Sequence, residues 1–372
     1  MNDLPPLPQK DYGNLDRVPI DLTPYWLDPT VEYPEPHLLL EYNGVGFSPL
    51  GGIQAISGQK KNGKTFFAAQ LMAAILEPDS ERVQAKLHGL TMPQSTRDYL
   101  GKKPTVLFID TEMELLNTAK VFRRVAWLCG WNTTETNERF HVLALRTIAD
   151  NPTRREMVLQ AIEETHPTAV FIDGLRDLVN DINDSTESMG IINELMKVAT
   201  VANCCIWSAL HGNPKARPEV EDNKMRGTLG TELGNKVTDT FVLIKKKDKT
   251  TNEVTFTVSQ QDARGKDVPD YVFEVTDDAG NLGIPRIIGA PPEPVKKPTE
   301  KLSQAEIDGV RDSIKPGTSH KWSKLRDEIM SRLGVTDKRA KKIIDIAKAE
   351  GYVTITDGLY TFIPKDNGQC PF

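Results

Sequence analysis

Gly58-Gln-Lys-Lys-Asn-Gly63-Lys64-Thr65 fits the spacing G-x-x-x-x-G-K-[ST]. The terminal glycines let a loop close its amide N–H groups around phosphate oxygens, and the helix that follows adds a favourable dipole. Lys64 can then reach β- and γ-phosphates, and Thr65 offers a hydroxyl to Mg²⁺. Gln59, Lys60, Lys61 and Asn62 complete the candidate cradle. A chance Gly-rich turn could carry the same letters. Here the motif follows the apolar run Ile53 to Ser57 and opens FFAAQLMAAIL, which is the strand-loop-helix context such a site requires. The reading predicts ATP and Mg²⁺ as cofactors.

Acidic and basic side chains at the ends of other apolar runs can serve the same chemistry. Asp173 ends TAVFIDG, where a carboxylate at a strand tip would handle Mg²⁺ or merely form a turn before Gly174. Glu112 follows TVLFIDTE and could orient or deprotonate an attacking water. Asp110 competes for that role, and DTEME also resembles a helix start capped by an acid. His211 ends CCIWSAL and could report on a γ-phosphate, or serve only the strand end.

These residues require a sheet that brings strand ends to one edge. From Ile53 onward short apolar runs alternate with helical patterns, which predicts an α/β fold with a mainly parallel sheet and helices on both faces. TDTFVLIKK, VTFTVSQ and YVFEVTDD lack helices between them and predict a strand meander at one sheet edge. HLLLEY and VGFSPL flank Asn43-Gly44, a hairpin signal. The stretch with Gly89 and Pro93 is read as an insertion. Residues 1–36 are expected to form an extended arm and 37–287 the core, with 288–302 a Pro/Lys-rich linker. Residues 303–364 are expected as a small C-terminal domain and 365–372 as a tail. That small domain predicts three helices and a hairpin around Asp357-Gly358, a winged helix-turn-helix pattern. Ala340, Ile343, Ile344 and Ala347 form the apolar stripe of its third helix, while Lys338, Arg339, Lys341 and Lys342 crowd its first half. These four are the candidate duplex DNA contacts, with a protein-contact module as the alternative.

Composition narrows the classes. The chain has 372 residues, of which 38% are apolar, and its net charge of -6 excludes a general basic nucleic-acid coat. Any DNA contact must come from local patches. No apolar run approaches the ~18 residues of a membrane helix. The opening residues lack the basic start and apolar stretch of a signal peptide, so a cytoplasmic location is expected. Cys129, Cys204, Cys205 and Cys370 show no metal or disulfide spacing and read as reduced thiols.

The order of P-loop, strand-DTE, strand-Asp, strand-His, RGTLGTELGNKVTD and DARGKDVPDYVFEV resembles the RecA-type ATPase core. It is most similar to hexameric replicative helicases of the DnaB and plasmid RepA kind and to helicase-like ATPases of mobile elements. The resemblance implies that Glu112 is the catalytic glutamate and His211 the γ-phosphate sensor. It also implies that Arg264 is a finger supplied to a neighbouring subunit's ATP, a role Lys266 could share. It further implies single-stranded DNA contact through the segment after Asp173 and the segment after His211. The second of these contains Lys215, Arg217, Lys224 and Arg226 together with Glu219, Glu221 and Asp222. The expected function is an ATP-driven helicase or translocase, assembled as a homo-hexamer, in replication of a mobile element or plasmid. The alternatives are a non-helicase DNA-binding ATPase that regulates or recruits other proteins, and a plain ATP-binding module.

Overall fold

The computed structural model describes residues 21–213, 224–248, 250–292, 301–315, 318–356 and 358–363. The chain divides into two compact units, Met1–Pro291 and Pro292–Phe372. Lys215, Arg217, most of the linker, Asp357 and the tail lie outside the described residues.

The first unit opens with a hairpin, β1 (Leu38–Tyr42) and β2 (Val45–Pro49). Asn43 and Gly44 take φ of 49° and 78°, the positive values that a two-residue hairpin turn demands. Next come β3 (Ile53–Gly58), α1 (Lys64–Leu76), α2 (Glu81–Lys86), β4 (Leu90–Thr91), α3 (Gln94–Leu100) and β5 (Val106–Asp110). The chain continues through α4 (Leu115–Leu128), β6 (Phe140–Ala144), α5 (Asn151–Thr165), β7 (Ala169–Asp173), α6 (Ser185–Ala202), β8 (Cys205–His211) and α7 (Gly227–Lys236). The meander β9 (Asp239–Lys247), β10 (Val254–Ala263), β11 (Tyr271–Thr276) and β12 (Ile284–Gly289) ends the unit.

The nine-stranded sheet has the order β12-β11-β10-β9-β3-β8-β7-β5-β6. The segment from β9 to β6 is parallel, and the meander turns antiparallel from β10 onward. β3, β5 and β7 are almost continuously buried, as strands covered on both faces must be. One face packs Phe67, Met72, Val121 and Val125 of α1 and α4. The other packs Val158, Ile162, Ile191, Leu195 and Leu229 of α5, α6 and α7.

Helix α1 is apolar all round and buried from Phe67 to Leu76, so it needs cover on the side away from the sheet. The small sheet β2-β1-β4 provides it. The Gly89 and Pro93 stretch, read as an insertion, lies between α1 and β5 and outside the nine-stranded sheet, and it packs on the core. Leu87, Leu90 and Met92 are buried there in the same core cluster as α1, and Tyr42 pairs with Leu90.

The second unit contains α8 (Gln304–Ser313), β13 (His320–Lys321), α9 (Trp322–Leu333), α10 (Asp337–Ala349), β14 (Val353–Thr356) and β15 (Leu359–Phe362). Its core gathers Val310, Leu325, Ile329, Ile343, Ile344 and Phe362. Ser303 and Glu306 form a capping box at the start of α8. Among the described residues, no helix is long and apolar enough to cross a membrane.

Candidate nucleotide site

β3 delivers Gly58 to the edge of the sheet between its neighbours β8 and β9, where Gly58 pairs with His211 on one side and Leu243 on the other. The loop is then anchored sideways. Asn62 Nδ2 donates to Leu243 O at 2.9 Å, and Gln59 Nε2 donates to Asn213 O. Gly63 sits at φ +86°, and a Cβ there would lie 2.7 Å from the Phe256 ring, so only glycine fits. Lys64, 8% exposed, curls back over the loop. Its Nζ donates to Gly58 O at 3.2 Å and meets His211 Nδ1 at 2.9 Å. Burial pulls the Lys64 ammonium below its ordinary pKa, and Asp173 and Glu112 pull in the opposite direction.

A protonated Lys64 can only donate, so His211 Nδ1 accepts and the ring proton sits on Nε2. That nitrogen faces Glu112 Oε1 at 3.8 Å. The histidine beside it holds the Glu112 carboxyl below its usual value against the opposing effect of burial. Glu112 is therefore ionised near neutrality, and 43% of its side chain is exposed.

The two aspartates divide their roles by burial. β5 and β7 are adjacent, with Asp110 opposite Asp173. Asp110 is 1% exposed. Its Oδ1 accepts from the backbone N–H groups of Glu112 and Met113 at 2.9 Å each, and its Oδ2 from the Thr118 hydroxyl. Asp110 thus shapes the turn that presents Glu112. Gly174, at φ +105°, permits the close approach, because a Cβ there would lie 2.1 Å from Thr111 Oγ1 and 3.0 Å from Glu112 Cγ.

Asp173 Oδ2 accepts from Thr65 Oγ1 at 2.6 Å. Burial pushes the Asp173 carboxyl up to about 6. The Asp173 carboxylate at the tip of β7 and the Thr65 hydroxyl in the first turn of α1 form an oxygen donor pair suited to a hard dication. The residues present therefore fit Mg²⁺. The glycine cradle and buried lysine likewise fit a polyphosphate.

A cavity of about 440 Å³ extends from this cluster. Among the described residues, Lys61, Lys64, Lys120, Arg124 and Lys245 line it against two carboxylates, Glu112 and Asp173, so an anion is the complementary guest. The sequence reading did not single out Phe66, Asn117, Lys120, Val121, Arg124, Lys245 or Phe256. The signal available was the spacing of Asn117, Lys120 and Arg124, three and four apart on one face of α4.

Lys64, Thr65, Glu112, Asp173 and His211 thus meet at one strand edge, and other candidates do not join them. Arg264 follows Ala263, which pairs with Asp239 at the strand end opposite the one carrying Gly58. Lys224 and Arg226 stand beside the end of β8, where Asn213 N donates to Lys224 O and Arg226 N to His211 O, both at 2.9 Å. In the second unit the basic cluster on α10 divides. Lys338 and Lys342 are exposed, Lys341 pairs with Asp337 at 2.8 Å, and Arg339 Nε donates to Glu306 at 3.0 Å.

The model of a family described as an AAA domain matches residues 33–216, and this stretch is a P-loop NTPase domain of that type. Among solved structures the chain is similar to a KaiC-like protein of the hyperthermophilic archaeon Pyrococcus horikoshii. The identity is 13%, over 66% of this chain and 92% of that one, with a TM-score of 0.42. No curated protein matches it.

Proposed function

We propose that this protein is a RecA-like ATP-hydrolysing motor, of the DnaB and RepA helicase type, that acts on DNA during replication of a plasmid or other mobile element. The observation that carries the catalytic half is the chain of contacts from Lys64 through His211 to Glu112, beside the Thr65–Asp173 pair. Glu112, ionised and half-exposed, accepts a proton from the water that attacks the γ-phosphate. Lys64 exchanges its loop carbonyls for phosphate oxygens. That exchange releases His211 Nδ1, and His211 begins the segment leading to Lys224 and Arg226, so loss of the γ-phosphate is felt there. Thr65 and Asp173 would hold Mg²⁺, which when bound offsets charge on the phosphoryl oxygens.

The DNA-directed half rests on the resemblance and on the basic residues. Lys215, Arg217, Lys224 and Arg226 face single-stranded DNA. The second unit is a winged helix that takes duplex through Lys338, Lys341 and Lys342, with Arg339 set by Glu306. Arg264 lies at the far strand end from its own P-loop, which supports its use by a neighbouring subunit in a cytoplasmic hexamer. Unwinding of a forked duplex, with ATP and with a non-hydrolysable analogue, tests the reading. ATP-dependent strand separation is expected. Absence of ATP hydrolysis under any DNA condition refutes it. Hydrolysis and salt-sensitive DNA binding without unwinding would instead identify a DNA-binding ATPase that regulates or recruits replication proteins. The acidic Glu219, Glu221 and Asp222 among the basic residues after His211 favour that second reading.

A further inference from the structure

The P-loop accounts for the phosphate end of the 440 Å³ cavity but not for the wall beyond Thr65. On that wall Arg124 is 6% exposed and, among the described residues, hydrogen-bonds to no carboxylate. Its Nε donates to Gly283 O at 2.7 Å and its Nη2 to Leu282 O at 2.6 Å. Its Nη1 makes no hydrogen bond among the described residues, although the side chain lines the cavity. The guanidinium carbon stands 4.2 Å from the centre of the Phe66 ring. Burial lowers the Arg124 pKa to about 10, which leaves the group charged at neutral pH. Gly283 presses against the same ring, since a Cβ on it would lie 3.3 Å from Phe66 Cε1 and 2.9 Å from Val275. The guanidinium is therefore locked in place with one donor edge open. Backbone carbonyls alone are a poor match for a desolvated cation, so an acceptor from a ligand completes it.

Direction along the cavity indicates which part of a nucleotide meets this wall. Glu112, Lys64 and His211 mark the γ-phosphate end. Arg124 lies nine residues along α4 from Leu115, about 13 Å at 1.5 Å per residue. Phe66 directly follows Thr65.

We infer that Arg124 and Phe66 form the nucleoside subsite, with the Phe66 ring holding the guanidinium in place and Arg124 Nη1 donating to an acceptor on the base edge. The inference rests on the ATP-binding reading above. Val121 supplies the apolar floor, and Asn117 and Lys120 approach from the same helix face.

Calorimetric titration of the full-length protein with Mg–ATP and, separately, with inorganic tripolyphosphate plus Mg²⁺ tests it. Wild type that binds neither ligand would refute the ATP site itself, whereas the two variants below test the subsite. Arg124→Lys keeps the charge but not the planar stack, and Phe66→Leu keeps apolar volume but not the ring. Each is expected to weaken ATP about ten- to a hundredfold while leaving tripolyphosphate within about twofold. Unchanged ATP affinity in both variants, or equal loss of ATP and tripolyphosphate, overturns the subsite. Circular dichroism establishes that each variant is folded, and Phe66→Leu decides the matter if Arg124→Lys is not.

Discussion

Replacing Asp110 by Ala separates the carboxylate that shapes the site from the carboxylate that reacts in it. The substitution removes the acceptor of two backbone N–H groups and one hydroxyl, from Glu112, Met113 and Thr118. At about 1 kcal/mol for each lost hydrogen bond the first unit loses about 3 kcal/mol. For a unit of this size that corresponds to a fall of about 5 °C in its melting temperature. Glu112→Gln, by contrast, changes a half-exposed group with no comparable hydrogen bonds. Its melting temperature is expected within about 2 °C of wild type, with ATP affinity retained and hydrolysis down about 10²–10⁴-fold. Differential scanning fluorimetry and a phosphate-release assay on both variants read the contrast. An Asp110→Ala protein as stable as wild type but inactive, beside a Glu112→Gln protein that still turns over, would refute the division of roles.

Lys64→Ala is expected to abolish hydrolysis and weaken ATP binding, because no other buried cation of the loop reaches the phosphates; steady phosphate release by this variant would refute the site. Gly63→Ala is expected to weaken ATP at least about tenfold, since φ +86° strains alanine and the new methyl meets Phe256 at 2.7 Å. Adding Phe256→Ala relieves the contact but not the strain, so calorimetry should show partial recovery. Arg264→Ala is expected to retain ATP affinity and lose about 10³–10⁵ in turnover. Mixing it with Lys64→Ala subunits should restore part of the activity if the finger acts across a subunit boundary, and no recovery in co-assembled particles by light scattering would exclude that. Burial would raise the Glu306 carboxyl, but the Ser303 amide and Arg339 outweigh it and hold the net value low. A lowered folded value means stability that is present above the unfolded value, near 4.5, and lost as pH falls through the folded one. The hydrogen-exchange protection factors of α8 should therefore fall below about pH 4.5, and Arg339→Ala should flatten that dependence.

The P-loop was legible in the sequence because its chemistry is local. Eight consecutive residues supply the amides, the glycines and the lysine, and the flanking strand and helix are set by short-range periodicity. The Asn43-Gly44 turn and the alternation that builds a parallel sheet were legible for the same reason. Asp110 and Glu112 could not be told apart in this way, since both end the same apolar run. The distinction arises when Thr118, one turn into α4, closes on Asp110 and His211 of β8 comes to face Glu112. His211 reaches that place because β3 lies beside β8 and β5 beside β7, an order set by pairing across the whole sheet. The same holds for Arg124, whose acceptors Leu282 and Gly283 arrive from the far end of the meander. Arg339 shows the converse. Helical spacing placed it in a basic cluster, and packing of α8 against α10 turned it to Glu306. Dihedral preference and periodicity act over a few residues, so they specify turns, caps and faces. Strand order and side-chain partnership depend on burial summed over the core, and only the assembled tertiary structure decides them.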